Sequence, residues 1–453
     1  MGKYFGTDGF RGEAGKELTA EHAYKIGRFL GGYFKENGKK VRAVIGKDTR
    51  RSSYMLEYAV ASGLVASGAD AYMLHVTTTP SVSYVVAAED FGVGIMISAS
   101  HNPFYDNGIK IVNSKGEKIE QDIIYKIECY LDGEYEKIGM EGDFPLASGS
   151  EIGEIIDYSA GRNRYIGYLI SLSKNSFKGY KIGLDCANGG GWMIAKSVFD
   201  ALGAKTYAIN ASPDGFNINH RSGSTHIEEL CRFVRLNNMD MGFAFDGDAD
   251  RCIAVDQEGE EVNGDKILYV LANEMKSHNE LADSTVVTTV MSNMGLYRAL
   301  KDVGISYEQT KVGDKYVYEC MSKNGYGLGG EQSGHIIISK YATTGDGILT
   351  AIKIAEAVIE SKQSLSKLCA PVVMLPQVTK NIRVKSKEAV LGNERVQKEL
   401  EKIKRELGEG GRILLRPSGT EPLIRIMAEA EQNKVCNEYI DRVIDAMKGE
   451  GLC

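Results

Sequence analysis

Three aspartates at alternate positions, Asp246, Asp248 and Asp250, follow the apolar run Met241 to Phe245 and are separated only by Gly247 and Ala249. In extended backbone, side chains two residues apart point the same way, so the chain must bring three like charges onto one side. Such a cluster is stable as a solvated acidic turn or around a divalent cation. An EF-hand is excluded: with Asp246 opening the loop, Arg251 stands where the turn glycine is needed and Gln257 where the bidentate glutamate is needed. The strand-like lead-in favours a hard-cation site. Mg²⁺ suits it, because that ion takes a few carboxylates and a phosphate oxygen. A fold that hosts this stretch ends an apolar strand at a polar loop, and a cation there raises the question of where a phosphate oxygen comes from.

The rest of the chain repeats that grammar. A helix is expected from about Thr19 to Phe34, a strand from Val41 to Ile45, a helix from about Met55 to Ser67 and a strand from Ala71 to Val76. Strands alternating with helices imply a largely parallel sheet with sites at the strand ends. The strand Val93 to Ile97 runs into Ser98-Ala99-Ser100-His101-Asn102-Pro103, a turn marked by Asn-Pro, with Lys110 further on. Ser100 is a turn serine or, given basic neighbours, a nucleophile; no G-x-S-x-G elbow is present. At the N-terminus, three glycines surround Arg11 in Gly6 to Gly12, which is a surface turn or a loop that presents Arg11 to an anion.

A polar, Gly/Ser-rich stretch from about Asp143 to Gly161 reads as a domain boundary. A second α/β unit follows; its Gly189-Gly190-Gly191 matches neither dinucleotide nor Walker patterns and reads as close packing of helix on strand. A third unit carries Gly330-Glu331-Gln332-Ser333-Gly334-His335, a decorated turn or a loop whose donor and acceptor mix suits sugar hydroxyls and amines. In the last stretch, short strands alternate with charged helices. Its loop Arg416-Pro417-Ser418-Gly419-Thr420, with Arg425 beyond, is a plain turn or, as its guanidinium, hydroxyl and backbone donors favour, an oxyanion cradle.

Bulk properties narrow the classes. A length of 453 residues suggests about three domains, possibly four small ones. With 54 Lys and Arg against 61 Asp and Glu, the net charge of −7 argues against a nucleic-acid partner. Eight scattered cysteines without a C-x-x-C pair argue for reduced thiols rather than zinc or disulfides. No signal peptide, myristoylation pattern or membrane-length apolar run is found, so a cytoplasmic protein with no membrane partner is expected.

The segments SASHNP, DGDADR, GEQSGH and RPSGTEPLIR, in this order, resemble the α-D-phosphohexomutase superfamily from end to end. Within it, Gln332, the run Gly345 to Thr350 and Pro376-Gln377-Val378 are most similar to bacterial phosphoglucosamine mutases. The resemblance implies three consecutive α/β domains with mixed, largely parallel sheets (1–153, 154–255 and 256–369) and a smaller C-terminal α+β domain (370–453) around a central cleft. It implies interconversion of glucosamine 6-phosphate and glucosamine 1-phosphate, on the path to UDP-N-acetylglucosamine, a peptidoglycan precursor.

It makes Ser100 the phosphoserine, with Asp246, Asp248 and Asp250 binding one Mg²⁺ per subunit together with it. Arg11, His101, Lys110 and Arg251 would surround the transferring phosphoryl group. Lys110 or His101 would move the hydroxyl proton. Glu331, Gln332, Ser333 and His335 would read the sugar, and Arg416, Ser418, Gly419, Thr420 and Arg425 would hold the distal phosphate. A glucosamine or glucose 1,6-bisphosphate activator and a homodimer are further implications. The rivals are a phosphoglucomutase or phosphomannomutase, a Mg²⁺-dependent sugar phosphatase and a silent sugar-phosphate sensor.

Two residues depart from the superfamily pattern. Ala249 replaces a usual glycine, at ~1 kcal/mol or more if its φ is positive. Asn263 replaces a frequent aspartate.

Overall fold

The computed structural model describes residues 2–35, 40–418 and 422–453. Four sheets carry the chain in order. The first joins β1 (Phe5–Gly6), β2 (Gly9–Glu13), β3 (Arg42–Lys47), β4 (Asp70–Val76), β5 (Val93–Ile97), β6 (Asp106–Asn113) and β7 (Ile155–Asp157) in the order β1-β2-β6-β5-β3-β4-β7. Its centre is parallel, β5-β3-β4-β7, and its other edge antiparallel. Every residue of β5 is buried, as its unbroken apolar run requires of a strand covered on both faces. The first sheet thus runs past the expected limit at residue 153, because β7 returns through the Gly/Ser-rich stretch to pair with β4.

The second sheet contains β8 (Lys181–Asp185), β9 (Lys205–Ile209), β10 (Met241–Phe245), β11 (Cys252–Asp256) and β12 (Glu261–Val262), in the order β12-β11-β10-β8-β9. The apolar run before the aspartates is β10, buried throughout, and the three acids form the turn into antiparallel β11. The third sheet contains β13 (Thr285–Thr289), β14 (Ser306–Thr310), β15 (Leu328–Gly330) and β16 (Ile336–Ile338), in the order β14-β13-β15-β16. The fourth is wholly antiparallel, with β17 (Gln377–Arg383), β18 (Arg412–Pro417) and β19 (Leu423–Glu429) in the order β17-β19-β18. Four domains result: three α/β domains with mixed sheets and a smaller C-terminal domain with an antiparallel one.

Local chemistry accounts for the helix ends. The helix Ala20–Tyr33 starts where expected, Thr19 accepting from the His22 backbone N–H in a capping box. The second helix, Arg51–Ala66, starts four residues before the expected Met55. Its first turn, Arg51-Ser52-Ser53, has no apolar period because it faces a polar cluster, where the Ser53 hydroxyl donates to Asp48 at 2.7 Å.

The chain forms two compact units. One comprises Met1–Met291 and Ile305–Ala370; the other comprises Ser292–Gly304 and Pro371–Cys453. The larger is built on apolar clusters such as Phe29, Ile45, Leu64, Ile95 and Ile127. The smaller has its own, including Val390, Ile403, Ile424, Ile426, Ile440 and Val443, and contains the helix Met294–Asp302.

Candidate active site

Ser100 follows β5 by three residues and is fully buried. Its φ is +53°, a left-handed conformation that costs an L-residue about 1–2 kcal/mol. That turn aims the side chain out of the first sheet and into the second: Ser100 Oγ donates to Asp246 Oδ2. Gly247 makes the approach possible, since a Cβ there would lie 2.5 Å from the Ser100 carbonyl oxygen.

The three aspartates are buried, and one oxygen from each lies within 4.8 Å of the others. Burial, followed by repulsion from Asp250 and Asp248, pushes Asp246 well above the usual carboxylate range. Asp250 is also lifted by burial, but Lys110, His335 and Arg251 outweigh that and hold it low. Asp248 Oδ1 and Asp250 Oδ1 are buried without a hydrogen-bond partner among the described residues. Orphaned carboxylate oxygens converging with a third acid are a donor set that fits a hard divalent cation. The residues present therefore suit Mg²⁺.

Cationic side chains surround this core. Lys110 Nζ donates to Asp248 Oδ2 at 2.8 Å and Asp250 Oδ2 at 3.1 Å, and lies 3.2 Å from Asp8 Oδ2. Burial alone would lower its pKa, but Asp248, Asp250 and Asp8 reverse that and hold it well above the usual lysine range. His101 behaves oppositely. Its Nδ1 lies 3.4 Å from Ser100 Oγ, and burial, then Arg251 and Arg11, push the imidazole down to about 4. Arg251 donates its backbone N–H to Asp246 Oδ1 at 3.2 Å, and its Nε is 3.9 Å from Asp250 Oδ1. Arg11 pairs with Asp8 while its buried Nε lacks a partner among the described residues.

The loop between β15 and β16 is joined to the acidic turn. Cys252 N–H donates to the Gly334 carbonyl at 3.0 Å, and Gly264 N–H donates to the Gln332 carbonyl at 3.0 Å. Ser333 is exposed, Glu331 and Gln332 are half-buried, and Glu331 Oε1 accepts from Gly313 N–H at 3.0 Å. His335 is buried, its Nε2 lying 3.4 Å from Asp314 Oδ2. Its ring packs under Gly345, where a Cβ would meet it at 2.6 Å.

In the smaller unit, Arg416 on β18 stands directly opposite Arg425 on β19. Two cationic side chains in register repel unless an anion lies between them. Arg425 Nε is buried and has no hydrogen-bond partner among the described residues. Ser418 is buried and its carbonyl accepts from Lys387 at 3.0 Å. Gly419 and Thr420 lie outside the described residues.

The sequence reading of Gly189 to Gly191 needs correction. Gly190 N–H donates to the Gly247 carbonyl at 2.7 Å, and a Cβ on Gly189 would strike Gly247. These glycines receive the acidic turn rather than pack a helix on a strand. Several participants carry no motif of their own. Thr79 donates its hydroxyl to Asp248 Oδ2 and its N–H to the Asp248 carbonyl at 3.0 Å. Asp8 ties Lys110 to Lys118, which bridges on to Asp314 at 2.6 Å. Their one local signal is a polar run at a strand end, as in Thr77-Thr78-Thr79 after β4.

The chain matches phosphoglucomutase/phosphomannomutase domains I, II, III and IV over residues 2–137, 163–259, 263–374 and 380–446. A phosphoglucosamine mutase of Lachnospira eligens is 60% identical over 453 residues, covering 100% of this chain and 99% of the relative. One from Bacillus subtilis is 45% identical over 450 residues, covering 99% of each. Among solved structures, a phosphoglucomutase/phosphomannomutase family protein of Burkholderia thailandensis superimposes with a TM-score of 0.79 at 24% identity, covering 98% of this chain and 97% of that one. Aspergillus fumigatus N-acetylphosphoglucosamine mutase, in complex with GlcNAc-6P and magnesium, gives 0.69 at 17% identity over 98% of this chain and 95% of that one.

Proposed function

This chain belongs to the phosphoglucomutase/phosphomannomutase family of the α-D-phosphohexomutase superfamily, and on that premise we propose that it interconverts glucosamine 6-phosphate and glucosamine 1-phosphate. The observation that carries the reading is the contact of Ser100 Oγ with Asp246, within a buried triad of carboxylates. The named relatives, at 45% to 60% identity over nearly the whole chain, favour the amino sugar as substrate. In this reading each of the four domains contributes one loop.

Ser100 carries the phosphoryl group in the working enzyme. It passes that group to the free hydroxyl of the bound sugar monophosphate, forming a 1,6-bisphosphate and returning the serine hydroxyl. The intermediate turns over, and its other phosphoryl group goes back to Ser100. One Mg²⁺ per subunit, held by Asp246, Asp248 and Asp250 with Ser100, would neutralise charge on the transferring group. Arg11, Lys110 and Arg251 bring positive charge to the same place. Lys110 donates to Asp248 and Asp250 and so stands beside the transferring group. His101 Nδ1 lies 3.4 Å from Ser100 Oγ, so His101 or Lys110 is placed to move the hydroxyl proton.

Glu331, Gln332, Ser333 and His335 read the sugar; the His335 ring nitrogens have no hydrogen-bond partner among the described residues, and Nε2 lies 3.4 Å from Asp314 Oδ2. Arg416 and Arg425, with Ser418, Gly419 and Thr420, hold the phosphate that is not reacting; Arg416 and Arg425 stand opposite each other, and the buried Arg425 Nε has no partner among the described residues. A glucosamine or glucose 1,6-bisphosphate primes the serine. We further propose a homodimer working in the cytoplasm, where its eight free cysteines stay reduced.

Initial rates on glucosamine 1-phosphate, glucose 1-phosphate and mannose 1-phosphate test the assignment. The amino sugar is expected to give the highest kcat/KM. Preference for either neutral sugar would reassign the substrate, and inorganic phosphate released without isomerised sugar would make the protein a phosphatase.

A further inference from the structure

The loop that carries Ser100 is gripped by a residue with no part in the chemistry just described. Arg50 is fully buried. Its guanidinium donates to the carbonyls of Ser100 at 2.9 Å, Asn102 at 2.9 Å and Asp106 at 3.1 Å, and also to that of Pro103. A single side chain thus closes the turn from 100 to 106 by its backbone. Arg50 is itself fixed: Asp48 accepts from its Nε at 2.8 Å and from its backbone N–H at 3.0 Å. Asp48 in turn accepts from Ser53 and Ser98 at 2.7 Å, and Ser98 Oγ accepts the Ser100 N–H at 3.0 Å.

The second domain adds another hand. Asn219 Nδ2 donates to the Ser100 carbonyl at 2.8 Å and to the Asn102 carbonyl at 3.0 Å. Ser100 and Asn219 both hold left-handed backbone, at φ +53° and +57°. Strained residues persist only where the surroundings over-determine them, and such places coincide with function. A planar guanidinium with donors in a rigid fork suits several fixed carbonyls; an ammonium on a flexible stem does not.

We propose that Arg50, oriented by Asp48 and seconded by Asn219, is the positioning residue that holds Ser100 in its left-handed conformation with Oγ on the acidic turn, so that it governs phosphoryl transfer rather than sugar binding. This rests on the reading of Ser100 as the phosphoryl carrier. Its consequence is a split in kinetics. Arg50→Lys keeps the charge beside Asp48 but releases most of the carbonyls, and the nucleophile drifts. A misplacement on the ångström scale costs about a hundredfold in rate.

The test measures kcat, KM for the sugar phosphate, and the rate at which glucose 1,6-bisphosphate phosphorylates Ser100 by intact mass, for wild type, Arg50→Lys, Asn219→Ala and Ser100→Ala. Each value is normalised to folded protein by circular dichroism. For Arg50→Lys, kcat and the Ser100 phosphorylation rate are expected to fall together by about a hundredfold, with KM within about threefold of wild type. Asn219→Ala, which removes two donors, should show the same split at about tenfold.

Wild-type kcat per folded molecule in either variant, or a rise in KM with kcat preserved, would overturn the proposal. If Arg50→Lys does not accumulate as folded protein, Asn219→Ala decides by the same criteria. Full activity in Ser100→Ala would instead remove the underlying reading of the serine.

Discussion

At the scale of single residues, the site is assembled from backbone that most side chains avoid. Ser100 and Ala249 both sit at φ +53°, one on each of the two loops that meet. Glycine would take that conformation freely, but it would leave a looser unfolded chain to order. Relief of about 1–2 kcal/mol at Ala249, less an entropy term of about 0.4–1 kcal/mol, predicts that Ala249→Gly stabilises the protein by roughly 0.5 kcal/mol without changing kcat. Urea titration measures this, and a loss of stability would mean that the buried methyl group matters more than the dihedral.

The acidic triad makes a second residue-scale prediction. With two orphaned oxygens and one carboxyl lifted by burial and by its acidic neighbours, the native state should bind Mg²⁺ and the unfolded chain should not. Saturating Mg²⁺ is therefore expected to raise Tm by a few degrees, about 2.7 kcal/mol at a hundredfold excess over Kd. Asp248→Asn should abolish the shift. An equal shift in wild type and variant would disconnect the ion from these residues.

At the scale of elements, helix caps and strand ends were the most readable features. Asn263, a departure from the superfamily pattern, caps the helix Gly264–Ser277 by accepting from Lys266 N–H, which an aspartate would do equally. Asp346 caps the helix Gly347–Ser361, accepting from Leu349 N–H at 2.9 Å and Tyr165 Oη–H at 2.8 Å. Burial pushes its carboxyl up to about 6 against the hydrogen bonds that favour ionisation. The folded state then binds more protons than the unfolded chain between about pH 4 and 6, so stability falls as pH rises through that window. The whole effect is up to about 3 kcal/mol. Asp346→Asn keeps the cap and removes the charge, so its stability should be flatter from pH 4 to 6 and higher than wild type at pH 7. Thermal denaturation across pH decides, and a variant less stable at neutral pH would show that the ionised cap is needed.

What could not be read at this scale were partnerships between elements. Thr79 meets Asp248 across 169 residues, and Asn219 meets the Ser100 carbonyl across 119. A local pattern shows that a loop is polar but not which other loop it will face. The same limit misassigned Gly189 to Gly191. It also gave no sign that Gly345 closes over the His335 ring and buries it.

At the scale of the molecule, the alternation of strands and helices was enough to give three α/β domains and a different fourth one. Each motif falls at a strand end, as that alternation requires. The boundaries were less legible, because β7 pairs with β4 of the first sheet and the helix Met294–Asp302 belongs to a unit that its neighbours in sequence do not share. The chemistry was legible only in combination. Ser100 read by its neighbours alone is a turn serine, and the proposal that it carries the phosphoryl group rests on the acids of another domain that lie against its hydroxyl.

That partnership is most directly tested by intact-protein mass spectrometry of wild type and Ser100→Ala after incubation with Mg²⁺ and glucose 1,6-bisphosphate. The wild type is expected to gain one phosphoryl group, and the variant none, with turnover lost. A phosphoryl group retained in Ser100→Ala, or undiminished turnover without it, would contradict the account.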